Sequence, residues 1–398
     1  MVELVQTRVA TLADVAEFIR GVTFKPNDVQ DGPTETNVDC LRTKNVQASL
    51  DTRDVWAIDP SLVKRPNQYV TEGDILISSA NSWNLVGKCS WIPRLVRPTT
   101  FGGFVTVLRR RDDSVDSRYL FHWFSSARVQ RTVRSFGNQT TNISNLDLKR
   151  SASLPLPLPP LDEQRRIAFI LDKADELRTK RHHALAVLDA LKRSVFDSLF
   201  SPSVSRAEWT STELGNVAKF FGGSSLPEGR EYSGQEGGFA LLKVSDMNRV
   251  GNEVRLLSST LWNERGGSKA ATCPENTIII PKRGAAISTN KKRITTRPSV
   301  LDPNLMGIAP SPALNIEYLY AWFNAFDLGS ITSGSSVPQL NKQDLAPLVI
   351  EVPPISLQET FAKSMRSVDR LRHHYRDQVA EMEVLFSSLQ NRAFNGEL

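Results

Sequence analysis

Apolar and polar positions keep one helical rhythm over two long stretches of the chain. Ile167, Ile170, Ala174, Leu177, Arg181, Ala184, Leu188, Leu191 and Val195 follow one another at steps of three and four. Phe361, Ser364, Val368, Leu371, Tyr375, Gln378, Met382, Leu385 and Leu389 repeat the pattern 194 positions later. Alternating steps of three and four place a single stripe along a helix and predict a coiled-coil seam. Both stretches carry a start signal. Pro160-Leu161-Asp162 offers a carboxylate cap, and Ser356-Leu357-Gln358-Glu359 is a capping box. At 1.5 Å per residue, each rod would run about 57 Å. Arg181, Ala184 and Ser364 interrupt the stripe, which leaves room for partner helices.

Between the rods the rhythm shortens. Gly73 to Ser78, Phe104 to Leu108 and Thr277 to Ile280 are short β-rich runs bounded by Gly, Pro and polar turns. Tyr119 to Arg134 and Tyr318 to Phe326 read as helical. Leu154 to Pro160 and Val352 to Pro354 are proline-rich, extended approaches to the rods.

The two halves are copies of one unit. Leu12 to Gly21 aligns with Leu214 to Gly223, Tyr119 to Phe124 with Tyr318 to Phe323, and Pro159 to Phe200 with Pro353 to Phe394. Missing such a repeat would misread the whole fold. The expected fold class is α+β: two mixed regions, 1–158 and 203–352, each followed by a long helix, 159–202 and 353–398, with a pseudo-two-fold internal repeat.

Composition narrows the class. The 398 residues are 40% apolar and 23% charged, the profile of a soluble multidomain protein. No apolar stretch approaches the ~18 residues of a membrane helix, and the first 20 residues lack a secretory core. Cys40, Cys89 and Cys273 are too few and too scattered for a disulfide framework or a zinc site, so a reducing cytoplasm is expected. The formal charge of +6 permits nucleic-acid binding. Its placement says more. Lys88 to Arg111 and Lys282 to Arg297 each hold six basic residues and no acid.

A search for catalytic chemistry finds none. Val86-Gly87-Lys88-Cys89 resembles the end of a phosphate loop, yet Ser82 and Cys89 replace the required Gly and Ser/Thr. There is no dinucleotide fingerprint, zinc-protease motif, nucleophile elbow or Asn-Pro-Pro-aromatic methylation motif. His182–His183 and His373–His374 are adjacent pairs that splay about 100° apart on a helix, which suits solvent rather than one metal ion. Instead, Phe136 to Asn142 and Ser333 to Gln339 are Gly-containing polar loops at equivalent places. Asn, Gln, Ser and Arg on such loops suit base edges, and the nearby lysines suit phosphates.

At this point the chain resembles the DNA-specificity subunits of type I restriction-modification systems over essentially its full length. Leu156 to Ala168 running into Leu171 to Arg178 carries the resemblance most specifically, with Gly73 to Ser78, Ile280 to Arg293 and Ala393 to Leu398 in support. The second copy departs from the pattern at Pro353 to Ala362 but keeps the cap, Gln358 and the seam. The resemblance implies a non-catalytic subunit with two target recognition domains and antiparallel spacer helices. It implies double-stranded DNA, two methylation subunits carrying S-adenosylmethionine, and two restriction subunits as partners, with no membrane and no cofactor on this chain. DNA contacts are then expected at Arg42, Lys44, Asn45, Ser78, Ser79, Asn81, Lys88, Asn138, Gln139 and Asn142 in the first domain. In the second they are expected at Lys243, Ser245, Lys282, Arg283, Ser288, Thr289, Asn290, Lys291, Lys292, Arg293, Ser335, Ser336 and Gln339. Ile167, Ile170, Leu177, Leu188, Leu191, Val195, Phe361, Val368, Leu371, Met382, Leu385 and Leu389 are expected at the spacer and partner interface. The rival reading is a coiled-coil scaffold without sequence-specific DNA binding.

Overall fold

The computed structural model describes residues 8–139, 143–200, 208–331 and 338–398. It separates into two compact units, Met1–His183 with Arg376–Leu398, and Ala184–Tyr375. Each unit contains one mixed region and a part of both long helices, Leu161–Phe200 and Ile355–Asn395.

In the first unit Ala16–Arg20, Val105–Arg110, Ile75–Ser78 and Cys89–Trp91 form an antiparallel sheet in that spatial order. A second sheet runs Val29–Gln30, Trp56–Ile58, Val38–Leu41, Thr99–Phe101, its last pair parallel. Ile75–Ser78 is buried at every position because both faces of its sheet are covered. Ile75 and Ile77 join a core with Tyr119, Phe124 and the long-helix residues Ile167 and Phe394, whereas Leu76 joins Ile19, Leu41 and Phe101 under the second sheet. The second unit repeats the arrangement. Ile278 and Ile280 face Tyr318, Phe200 and Phe361, and Ile279 faces Leu242 and Leu301.

The structure supplies physical reasons for the repeated sequence segments. Leu12 and Leu214 are fully buried at the start of each segment. Gly21 and Gly223 close them where the chain passes the neighbouring strand's backbone: a Cβ would lie 2.2 Å from the Gly102 carbonyl oxygen or 1.7 Å from that of Asp302. The proline-rich approaches are strands. Pro155–Leu158 pairs with Arg8–Thr11 and Val349–Val352 with Thr210–Glu213, in two-stranded ribbons whose free edges tolerate proline. The helical stretch expected from Tyr119 to Arg134 is two helices, Ser117–Ser125 and Ala127–Ser135, because Ser126 takes an extended conformation and its hydroxyl caps the second.

Gln164 and Gln358 tie each long helix to its mixed region. The Gln164 side-chain oxygen accepts from the Asp116 amide (2.8 Å), and its nitrogen donates to the Pro159 and Ser114 carbonyls (2.9 and 3.2 Å). Gln358 does the same with Asn315, Pro353 and Ala313 (2.8, 2.7 and 3.0 Å). Above them Tyr119 donates to the Pro157 carbonyl and Tyr318 to that of Glu351 (2.8 and 2.5 Å). Both glutamines are buried, so all three side-chain bonds of each are needed to satisfy groups cut off from water.

Candidate nucleic-acid interface

Two segments far apart in the first unit meet after Ile75–Ser78. Ala80–Asn81 pairs with Ser144–Asn145, which pairs in turn with Asn138–Gln139, placing Asn81 opposite Ser144 and Ser144 opposite Gln139. Asn81 donates its amide to the buried Ser78 hydroxyl (3.1 Å), and the Ser79 and Ala80 amides bond the Phe104 carbonyl (3.0 and 3.1 Å). Phe104 and Trp83, which residue chemistry alone did not single out, are exposed beside these residues. Asn142 lies outside the described residues.

The same meeting occurs in the second unit. Arg283 bridges to Gln339, the Gly284 amide bonds the Pro338 carbonyl (2.9 Å), and the Leu340 amide bonds the Lys282 carbonyl (2.9 Å). Gln339 donates to the Asn341 side chain (3.0 Å). Burial pushes the half-buried Lys282 ammonium below its ordinary pKa. Ser335 and Ser336 lie outside the described residues.

A second contact is also duplicated. The turn Thr43–Asn45 lies against the start of Cys89–Trp91, where the Lys88 ammonium donates to the Gln47 side chain (2.6 Å). The turn Val244–Asn248 lies against the start of Arg293–Thr295, where Lys291 donates to Asn248. Gln47 and Asn248, missed by sequence reasoning, occupy equivalent positions in the two copies, and the internal alignment could have found them. Lys243 and Ser245 are exposed on this second turn, which is closed by the Asp246 carboxylate accepting from the Lys243 amide (2.8 Å). Val244, Met247, Pro281, Ala286, Thr289 and Lys291 help line a concavity of about 300 Å³ there.

Several expected readers are internal supports instead. Asn45 is buried and spends its side chain on the Arg42 amide and the Asp51 and Asp54 carbonyls. Arg42 stacks over Trp56 (4.2 Å) and pairs with Asp54 (2.7 Å), which Lys44 also engages, holding that carboxyl below its usual range. Lys292 is 2% exposed, and its ammonium donates to the Asn290 side chain and the Phe326 carbonyl (both 2.7 Å). Burial pushes its pKa down to about 8. Asn290, in the left-handed region at φ 52°, also accepts from the Leu328 amide (2.9 Å). Arg293 is half-buried with its guanidinium on the Met247 and Lys292 carbonyls. Ser288 and Thr289 stay exposed, with hydroxyls donating to Ala285 and Ala286. Six adjacent basic and polar residues looked alike in sequence; the turn of the chain leaves Ser288 and Thr289 exposed, half-buries Asn290, Lys291 and Arg293, and buries Lys292.

The long helices pack antiparallel within each unit. In the first, Arg178 pairs with Glu383 (2.9 Å) and lies over Phe386 (4.6 Å), and Arg166 reaches the Leu398 carbonyl (2.7 Å). In the second, Phe196 meets Phe361 (centroids 5.7 Å apart), Lys192 pairs with Asp369, and Arg372 with Asp189 (2.9 Å). Ile167, Leu188, Phe361 and Val368 are buried as seam residues, and Ile170, Val195, Met382 and Leu389 are half-buried. A third of the expected seam is displaced, however. Leu177, Leu191, Leu371 and Leu385 are 55, 42, 41 and 55% exposed, and their successors Arg178, Lys192, Arg372 and Phe386 turn inward. Long aliphatic stems line a seam while their charged ends reach carboxylates, so this register stays compatible with basic side chains.

Catalytic alternatives find no support among the described residues. No group of three or more His, Cys, Asp or Glu could hold a metal ion, and no helix is long and apolar enough to cross a membrane. All three cysteines are free, and burial pushes their thiols up to about 12, far from a reactive thiolate. His122 is buried and joins Arg118 on Asp172; burial raises that carboxyl's pKa, but these bonds outweigh it and hold it at about 2.

Comparison with known proteins agrees with this geometry. The chain is 22% identical over 412 residues to the putative type I restriction enzyme MjaX specificity subunit of Methanocaldococcus jannaschii, covering 98% of this chain and 93% of that one. It is 28% identical over 165 residues to the type I restriction enzyme EcoKI specificity subunit of Escherichia coli, covering 41% of this chain and 35% of that one. In fold it is similar to the type I restriction-modification S subunit from M. genitalium, with a TM-score of 0.61 and 14% identity, over 98% of this chain and 97% of that one. The family model for the type I restriction modification DNA specificity domain matches twice, at residues 5–187 and 206–381. With both halves matched, the chain belongs to the family of type I restriction-modification DNA-specificity subunits.

Proposed function

We propose that each unit reads one half of a two-part DNA sequence through the paired polar segments described above, and that the outward leucines of the long helices seat the methylation subunits. The subunit is non-catalytic; methylation and cleavage are the work of its partner subunits. The finer assembly is two methylation subunits, which carry the S-adenosylmethionine, and two restriction subunits, matching the internal duplication of the chain. The cytoplasm, where DNA and that cofactor are both present, is the proposed place of work. One observation carries the reading: a lysine bonded to a side-chain amide, Lys88 with Gln47 and Lys291 with Asn248, recurs in both units beside a paired polar loop. Lysine ammonium groups attract phosphate, and side-chain amides distinguish base edges.

The test is a methylation map of the host genome with the gene present and deleted. Loss of a two-part adenine-methylated motif with a fixed gap supports the reading. If every motif persists while the protein still assembles with methylation subunits, DNA reading fails and the scaffold alternative stands.

A further inference from the structure

The two units differ sharply in one equivalent region. From Ser117 to Ala152 the first unit carries six basic side chains and one acid, Asp147; from Ile316 to Ala346 the second carries one, Lys342, against Glu317, Asp327 and Asp344. The helix Ala127–Ser135 concentrates this difference. Val129, Gln130 and Val133 are buried on one side; Arg128 and Arg131, three apart, are exposed on the other, and Arg134, three further on, is half-buried with its guanidinium 3.5 Å from the Gln130 side-chain oxygen. Like charges at that spacing repel, and no ion pair is formed by any of the three among the described residues. Arg128 reaches only the Asn395 side chain (3.4 Å), and Arg131 makes no hydrogen bond among the described residues. Asp147 is occupied by capping the helix Leu148–Ala152, accepting from the Arg150 amide (2.9 Å). Arg150 lies over Phe136 (4.3 Å) at the end of the arginine helix, so the charge continues onto the exposed Lys149.

This helix abuts both candidate contact segments. The Gly137 amide bonds the Arg134 carbonyl (3.0 Å) just before Asn138–Gln139, and Gly87, next to Lys88, lies against Val133 and Arg134. We propose that the arginine helix and Lys149–Arg150 grip DNA phosphates flanking the half-site read by this unit, with no counterpart in the second unit, so that the protein's DNA contact extends further on one side of its target. The inference rests on the DNA-reading function proposed above. Duplex DNA is the partner favoured by the continuity of this face with the reading segments and by its excess of basic side chains, the one acid, Asp147, being engaged in a helix cap.

The test uses the full chain assembled with its methylation subunits. Binding is measured to duplexes bearing the motif found by methylation mapping, extended by about one helical turn on either side. The expected result is a several-fold gain in affinity from extension on one side only. Replacing Arg128, Arg131 and Lys149 by Ala should abolish that gain and make the slope of log K against log salt shallower by about 2 to 3, and Arg131→Ala alone by about 1. Arg131 is exposed and makes no hydrogen bond among the described residues, so the single variant keeps the test valid if the triple variant unfolds. An unchanged slope, or equal gains on both sides, overturns the proposal. Loss of methylation subunits with DNA binding intact also overturns it, assigning the face to protein. If the wild-type assembly does not prefer the motif over scrambled DNA, the reading function itself has failed.

Discussion

Two leucines three positions apart provide the sharpest test of the helix register. Leu188 is 7% exposed and Leu191 is 42% exposed, though both lie on the expected stripe. Truncating Leu188 to Ala removes buried methyl groups and leaves a cavity, a cost of about 2–3 kcal/mol, at the lower end for a buried leucine because the site lies near the surface. Truncating Leu191 removes partly wet surface and substitutes a better helix former, so its effect should stay within about 0.5 kcal/mol. Urea unfolding followed by circular dichroism should show the Leu188→Ala midpoint lower by about 0.5–1 M and the Leu191→Ala midpoint unmoved. Equal losses would refute the register. Leu191→Asp extends the comparison: its midpoint should hold, but co-purification with methylation subunits should fail. Retained assembly would remove this leucine from the docking surface.

Other expectations follow from the same geometry. Gln164→Ala or Gln358→Ala leaves a buried amide and two carbonyls unpaired and should cost roughly 2–4 kcal/mol, seen in the same unfolding assay. Lys292, pushed down to about 8 by burial, loses its proton in the folded protein at lower pH than in the unfolded chain. Stability should therefore rise by roughly 3 kcal/mol between pH 8 and about 10.4 relative to Lys292→Met, whose pH profile lacks that rise. Lys88→Ala and Lys291→Ala should each reduce the salt slope of DNA binding by about 1, measured by fluorescence anisotropy; unchanged slopes would exclude phosphate contact at either residue.

Much of this protein was legible in the chain itself. The duplication, the long helices, the buried strand around Ile75–Ser78 and its copy, and the absence of known catalytic motifs all follow from periodicity and motif spacing, because these patterns record local geometry. The repeated Leu12 to Gly21 segment was visible too, but its closing glycine was explained only by the backbone that Gly21 approaches. What tertiary structure alone decided was the direction of individual side chains. A stripe with apolar residues at adjacent positions fits two helix registers, and partner contacts chose the one that turns Arg178 and Lys192 inward and Leu177 and Leu191 outward. Likewise, Lys291 and Lys292 have the same composition and nearly the same address, yet one points to Asn248 and the other is buried on the Phe326 carbonyl. Neighbours distant in sequence determine such choices, since a side chain's burial depends on what packs over it rather than on its own chemistry.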